Sequence, residues 1–318
     1  MPQSPPSLPT RSTPFLIVMN ARAGSGDARE AHQQMQTIFQ EAGQAHEFLL
    51  VDRPDNIPKV SEQAVAKAKA SGGAVVAAGG DGTINALAHA VLPHELPFGI
   101  VPQGTFNYSS RAHGIPLETE AAARALLQPK IKPIQVGVVN ERIFLVNASL
   151  GLYPQLLQDR EEFKKEHGRT RANAFFAGLR SLMQDHRQLS LEIEHDKERE
   201  LVRTPTLFIG NNQMQLERVG LPEADDVQQR RLAAVIVRAQ RPRSLLWLAL
   251  RGALGQLGDA RNVRDFSFRT MTVNPWLGGS GRQIKMAIDG EVLHMRPPLK
   301  FSVAPQRLWL LTPAEAEA

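Results

Sequence analysis

The chain has 318 residues, a net charge of +5 and a hydrophobic fraction of 42%, which allows one large or two ordinary folded domains and argues against wholesale disorder. It contains no cysteine, so disulfides, thiolate catalysis and cysteine metal ligands are excluded. No stretch approaches about 20 consecutive apolar residues, so no transmembrane segment is predicted.

The first 13 residues, MPQSPPSLPTRST, are rich in proline and serine and have no apolar signal-peptide core. This composition predicts a disordered tail over residues 1–13 and a cytoplasmic protein.

Residues 14–130 alternate between short apolar runs and amphipathic segments. Strands are predicted at 15–20, 47–51, 73–78 and 98–102, and helices at 27–42, 57–70, 84–92 and 118–128. This rhythm predicts an α/β domain with a parallel sheet covered by helices.

The pattern changes after residue 130. Strands are predicted at 135–139, 142–148, 189–194, 201–209, 231–238, 265–273, 283–288 and 299–311, and helices at 161–185 and 244–257. Closely spaced strands joined by turns predict an antiparallel β-sandwich over residues 131–318, with two inserted helices.

Three loops of the first half follow predicted strands, at 20–26, 79–83 and 102–107. Ligands of open parallel sheets bind at the carboxyl ends of the strands. Glycine lets backbone N–H groups approach phosphate oxygens closely. A turn needs fewer glycines than the run GGDGT contains, and Asp81 in that run suits a metal–phosphate contact or acid–base chemistry.

Four motifs occur along the chain in this order: NARAG at 20–24, GGDGTIN at 79–85, VPQGTFNYSSRAHGIP at 101–116 and AIDGE at 287–291. Together they resemble the diacylglycerol kinase catalytic-domain family, which includes bacterial diacylglycerol kinases, related lipid kinases and sphingosine kinases. The resemblance covers nearly the whole chain. It implies an α/β nucleotide-binding domain, a β-sandwich acceptor domain and an active site in the cleft between them.

The same resemblance implies an ATP-dependent lipid kinase that uses Mg²⁺ and phosphorylates a hydroxyl of diacylglycerol or a related lipid alcohol. The enzyme would bind its lipid substrate at a membrane surface, at the inner face of the membrane. Asp81 would act near the phosphates through Mg²⁺, and Asp289 or Glu291 would take the proton of the acceptor. The residues implied to line the nucleotide are Asn20, Ala21, Arg22, Ala23, Gly24, Gly79, Gly80, Asp81, Gly82, Thr83, Ile84, Asn85, Gly104, Thr105 and Asn107.

The choice between Asp289 and Glu291 stays open, because residues two apart on a strand face the same side. The pair Asp289-Gly290 is also a strong signal for a hairpin turn, so a purely structural role is an alternative.

The chain departs from the family pattern mainly where the acceptor would bind. Tyr108 replaces an aspartate, and the segment GNNQMQLERVG at 210–220 keeps only the start of its motif. Asp226 is a candidate metal ligand, and a solvated acidic turn is the alternative. These departures predict an unusual acceptor.

Two other functions compete with a lipid kinase: a kinase of a soluble alcohol, and a nucleotide-binding regulatory protein without catalysis. Basic and apolar residues at 164–176 and 241–258 could face an anionic membrane, or could be amphipathic helices of the core. No nucleic-acid-binding motif is present. The sequence leaves a homodimer open.

Overall fold

The computed structural model of the chain describes residues 5–20, 28–104, 107–152, 154, 188–196, 198–211, 216–217, 229–238, 262–276 and 283–314. The helices predicted at 161–185 and 244–257 lie outside these residues. None of the helices within the described ranges is long and apolar enough to cross a membrane. The chain divides into two compact units, one formed by residues 1–136 and 304–318 and the other by residues 137–303.

The first unit alternates strands and helices, as its sequence pattern predicts. Its described elements are β1 (Phe15–Asn20), α1 (Ala28–Glu41), β2 (His46–Val51), a 3-10 turn (Pro54–Asn56), α2 (Ile57–Ser71), β3 (Ala74–Gly79), α3 (Asp81–Val91), a second 3-10 turn (Leu92–His94), β4 (Pro97–Pro102), α4 (Tyr108–Ala112), α5 (Thr119–Ala125), β5 (Pro129–Ile134) and, from the end of the chain, β18 (Leu308–Pro313).

One six-stranded sheet with the order β2-β1-β3-β4-β18-β5 forms the centre of the first unit. The first five of these strands are parallel, and β5 runs antiparallel to β18. Strands β3 and β4 are buried along their whole length, as expected for central strands covered on both faces. The carboxyl ends of β1, β3 and β4 therefore meet at one edge of the sheet.

The end of the chain corrects the expectation of one strand over residues 299–311. Two strands lie there, β17 (Leu299–Val303) and β18, and they belong to different units. The apolar run of β18 is buried between β4 and β5, a position that such a run favours because both of its faces are covered. The boundary expected near residue 130 consequently falls inside β5.

Residues 10–13 correct the expectation of a disordered tail. The backbone N–H of Ala45 donates to the carbonyl of Arg11 at 2.9 Å, and the Gln44 amide donates to the carbonyl of Thr13 at 2.8 Å. These bonds hold the segment before β1 against the start of β2.

The second unit consists of antiparallel strands in its described part. They are β6 (Gly137–Val139), β7 (Arg142–Phe144), β8 (Asn147–Gly151), β9 (Leu189–His195), β10 (Glu198–Thr204), β11 (Thr206–Gly210), β12 (Leu232–Val237), β13 (Val263–Phe268), β14 (Thr270–Pro275), β15 (Ile284–Ile288), β16 (Glu291–Met295) and β17. Two sheets result, with the orders β10-β9-β14-β17-β6-β7 and β13-β12-β11-β8-β15-β16.

Both sheets of the second unit contribute side chains to one hydrophobic core, from Phe144 and Phe301 in the first sheet to Ile209 and Phe268 in the second. Three strands predicted as continuous are each split between the two sheets, at 142–148, 201–209 and 265–273. The breaks fall where the chain passes from one sheet to the other, for example at Pro205, which has no N–H to donate to a ladder.

Candidate functional site

The glycine loop after β3 leads directly into α3. Gly80 has an extended backbone with φ −81° and ψ 177°, and its carbonyl accepts the N–H of Ile84 at 3.0 Å. Helix α3 therefore begins at Asp81, three residues earlier than predicted. The N–H groups of a first helical turn have no partner within the helix and lie at the positive end of its dipole. This helix start is suited to an anion.

Two glycine positions leave no room for a side chain. A Cβ at Gly79 would lie 2.8 Å from the Cβ of Thr83, and a Cβ at Gly104 would lie 2.9 Å from the Cα of Gly80. The loops after β3 and β4 therefore touch backbone to backbone. Their contact forms a cradle of main-chain atoms beside the start of α3.

Asn107 closes the loop after β4. Its Oδ1 accepts the N–H of Gly104 at 3.0 Å, and its Nδ2 donates to the carbonyl of Gly104 at 2.9 Å. Asn107 adopts a left-handed backbone with φ 50°, which asparagine tolerates better than most residues. The Gln103 N–H donates to the carbonyl of Gly79 at 2.9 Å, which ties this loop to the preceding one.

The first unit brings most of the predicted nucleotide residues to one edge of the sheet. Gly79, Gly80, Gly104 and Asn107 lie in the two touching loops. Asp81 to Asn85 form the start of α3, and Asn20 ends β1, the neighbour of β3. The predicted contacts that lie outside the described residues are Ala21, Arg22, Ala23, Gly24 and Thr105.

Asp289 occupies a two-residue turn between β15 and β16. Both turn residues have positive φ, 46° at Asp289 and 88° at Gly290, as a type I′ hairpin turn requires. The turn corrects the expectation that Asp289 and Glu291 lie on one strand and face the same side. Asp289 is buried, while Glu291 is exposed at the start of β16.

The buried Asp289 carboxylate holds the loop between β7 and β8. Its Oδ2 accepts the N–H of Leu145 at 2.7 Å, and its Oδ1 accepts the N–H groups of Val146 at 2.8 Å and Asn147 at 2.9 Å. The N–H of Asp289 donates to the carbonyl of Asn147 at 2.9 Å. Asp289 therefore connects the β15–β16 turn to three consecutive residues of a neighbouring loop.

Asn211 holds the same loop from its carbonyl side, and this residue was not predicted. Its Nδ2 donates to the carbonyl of Leu145 at 3.0 Å, and its N–H donates to the carbonyl of Val146 at 2.8 Å. The signal was present in the sequence, because Gly210-Asn211 is the part of the 210–220 motif that this chain keeps.

Glu291 has the electrostatic setting of a proton acceptor. Although the residue is exposed along part of its surface, partial burial of its carboxyl group raises its pKa, and the negative charge of Asp289 raises it further. The positive charge of Arg142 lowers the pKa by a smaller amount. A carboxylate with a raised pKa binds a proton more readily near neutral pH.

Metal ligands were predicted at Asp226, which lies outside the described residues. Within the ranges given above, the structure holds no group of three or more histidine, aspartate or glutamate side chains that could bind a metal ion. Asp81, the first residue of α3, provides one carboxylate beside the main-chain cradle, an oxygen ligand of the kind that Mg²⁺ prefers.

The comparisons with known proteins agree with the motifs. A family model described as "Diacylglycerol kinase catalytic domain" matches residues 14–139. A Pseudomonas aeruginosa protein named "Probable lipid kinase YegS-like" is 31% identical over 306 residues, covering 94% of each chain. A Bacillus subtilis protein named "Diacylglycerol kinase" is 32% identical over 126 residues, which cover 38% of this chain and 41% of that protein.

Solved structures share the fold. Two crystal structures from Bacillus anthracis superpose on the chain with TM-scores of 0.72 and 0.67, at 19% and 16% identity, and the latter is described as a diacylglycerol kinase. Each match covers 95% of this chain and 97% of the other.

Proposed function

Because the chain belongs to the diacylglycerol kinase catalytic-domain family, we propose that it transfers the γ-phosphoryl group of ATP to a hydroxyl group of a lipid alcohol such as diacylglycerol. Its relatives are named as a lipid kinase and a diacylglycerol kinase, which identifies the chain as a phosphotransferase with an alcohol acceptor. The observation that carries the proposal is the main-chain cradle of Gly80 and Gly104 at the start of α3.

In this proposal the first unit binds the nucleotide. The N–H groups of the first turn of α3 and the glycine backbone would donate to the phosphate oxygens. Side chains at Gly79 and Gly104 would collide with Thr83 and Gly80 and so distort this backbone. Asp81 would hold Mg²⁺, which when bound neutralises charge on the phosphate oxygens. Asn107 keeps the loop after β4 in the shape that approaches Gly80.

The second unit would supply the proton acceptor, and we assign that role to Glu291. The acceptor hydroxyl oxygen forms a bond to the γ-phosphorus, the bond from that phosphorus to the oxygen shared with the β-phosphate breaks, and ADP leaves. The hydroxyl proton passes to the Glu291 carboxylate. Asp289 acts as a positioning residue, because its carboxylate already accepts three backbone N–H groups.

A lipid acceptor requires contact with a membrane surface, which we place at the inner face where ATP is available. Trp276 supports this part of the proposal, since 78% of its surface is exposed. Exposed tryptophan is typical of protein surfaces that contact the lipid–water interface. A homodimer is compatible with the proposal and is not needed for it.

The test is ATP turnover with diacylglycerol in mixed micelles and with glycerol as a soluble alcohol. We expect ADP and phosphatidic acid from the first acceptor only. Turnover of glycerol without turnover of the lipid would contradict the lipid acceptor, and ATP binding without any transfer would favour a regulatory protein.

The variant Asp81→Ala tests the assignment of the phosphate site. Loss of the carboxylate beside the phosphates should lower kcat by about a hundredfold or more. Asp55→Ala is the control, since Asp55 is an exposed acid in the 3-10 turn before α2. Full activity in Asp81→Ala would refute the assignment of the phosphate site.

A further inference from the structure

Gln103 has a buried side-chain amide with unmet hydrogen-bonding capacity. Its Oε1 and Nε2 are both buried and make no hydrogen bond within the described residues. A buried polar group without a partner costs about 1–3 kcal/mol. In a native protein such a group has an explanation, which can be a bound ligand, an ordered water or ion, or strain stored for function.

The backbone of Gln103 fixes where this amide is anchored. The residue follows β4 directly, and its N–H donates to the carbonyl of Gly79 at 2.9 Å. The next residue, Gly104, is one of the two glycines whose backbones touch in the cradle. Gln103 is therefore anchored at the edge of the sheet where the proposed nucleotide site lies.

The hydrogen-bonding groups of the Gln103 amide indicate which chemical group it would bind. An amide offers one oxygen that accepts and an NH₂ group that donates two hydrogens. A phosphate oxygen only accepts, so it would satisfy Nε2 and leave Oε1 unmet. A hydroxyl group both donates and accepts, and can therefore satisfy both ends of the amide. Hydrogen bonds formed to such a buried group are stronger than those in water.

We propose that Gln103 is a substrate-binding residue that hydrogen-bonds a hydroxyl group in the phosphoryl-transfer site. This inference rests on the proposed function, because both substrates of that reaction carry hydroxyl groups: the ribose of ATP and the alcohol acceptor. The sequence pattern did not single out this position.

The test compares Gln103→Leu with the wild type. Leucine is of similar size and removes both polar atoms. We expect a Tm equal to or above that of the wild type, because the unmet polar groups disappear. The KM for ATP or for diacylglycerol should rise about tenfold, the effect of losing one or two hydrogen bonds.

Gln44→Leu is the matched control. The Gln44 amide is buried too, but it donates to the carbonyl groups of Thr13 at 2.8 Å and Ala45 at 3.1 Å. The same substitution should therefore lower the Tm and leave both KM values unchanged. Opposite behaviour of the two variants would separate a substrate-binding amide from a structural one.

Nucleotide analogues distinguish the two sources of the hydroxyl. If the ribose is bound, the wild type should lose about tenfold in KM with 2′-deoxyATP or 3′-deoxyATP, and Gln103→Leu should not discriminate between these nucleotides and ATP. If the acceptor is bound, the KM for ATP stays constant and the KM for diacylglycerol rises.

Unchanged KM values for ATP and diacylglycerol in Gln103→Leu would overturn the inference while the proposed function stands. A lower Tm with unchanged KM values would do the same, because the amide would then be held by water within the fold. Calorimetric titration of the wild type with ATP tests the proposed function separately from the role of Gln103. A wild-type chain that neither binds nor consumes ATP overturns the proposed function itself.

Discussion

Two carboxylates separated by one residue have different environments in this protein. Asp289 is buried and bound to the N–H groups of Leu145, Val146 and Asn147. Glu291 has a raised pKa because its carboxyl group is partly buried and lies beside Asp289. Substitutions at the two positions should therefore affect different properties, stability at the first and reaction rate at the second.

Asp289→Asn should destabilise the fold. An asparagine amide has one oxygen and one NH₂ group, so a donor would face the loop N–H groups, and charge-assisted bonds worth about 1.5–3 kcal/mol each would be weakened. We expect the free energy of unfolding to fall by about 2–4 kcal/mol, measured by denaturant titration. Glu291→Gln, at an exposed position, should change it by about 0.5 kcal/mol or less. Equal losses would argue against a positioning role for Asp289.

The pH profile tests Glu291 as the base. A base must be deprotonated to act, so a raised pKa places the acid limb of kcat/KM at higher pH than an ordinary glutamate would. Arg142 lowers the pKa of Glu291, and Arg142→Gln should move the acid limb to still higher pH. Arg124→Gln, which removes an exposed i,i+4 ion pair on α5, should leave the limb in place. A limb that does not move in Arg142→Gln, or that persists in Glu291→Gln, would exclude Glu291.

At the scale of elements, the close approach of the loops after β3 and β4 depends more on the glycine at position 104 than on the glycine at position 80. A Cβ at Gly104 would meet backbone at 2.9 Å, whereas a Cβ at Gly80 would find the nearest heavy atom at 3.6 Å, an ordinary contact. Gly104→Ala should therefore lower the free energy of unfolding by about 1–3 kcal/mol and weaken ATP binding. Gly80→Ala should leave the stability within about 0.5 kcal/mol. Thermal unfolding and ATP titration of both variants check this, and equal stability would show that the loops separate freely.

The sequence predicted β1 to β4 and the helices α1, α2, α3 and α5 of the first unit, because alternating apolar and amphipathic segments are local signals, but it did not predict α4 or β5. It failed where the outcome depends on distant partners. The strand predicted at 201–209 is split at Pro205 between two sheets, and a hydrophobic run does not reveal such a crossing. The loop glycines were predicted from their motif, whereas the anchoring of Asp289 depends on residues 145–147, more than 140 positions earlier in the chain.

At the scale of the whole molecule, the first unit is not continuous in sequence. Strand β18 lies between β4 and β5, and Leu308, Trp309, Leu310 and Leu311 are buried there. Full burial of one large apolar side chain contributes about 1.5–3 kcal/mol. Four such residues approach the total stability of about 5–15 kcal/mol that is typical of proteins.

A chain truncated after residue 303 should therefore fail to fold its first unit, measured as loss of ATP binding and of cooperative thermal unfolding. A chain truncated after residue 314 keeps β18 and serves as the control. If the shorter chain binds ATP as tightly as the full chain, β18 is dispensable and the two-part description of this unit is wrong.

The position of β18 also has a consequence during synthesis. A ribosome completes all of β1 to β5 long before it reaches residues 308–313, and domains generally begin to fold as they emerge. The second unit, continuous over residues 137–303, can therefore finish folding while the first still lacks a strand inside its sheet. Until that strand arrives, the edges of β4 and β5 are exposed to other nascent chains. The half that we propose binds ATP is the last to mature.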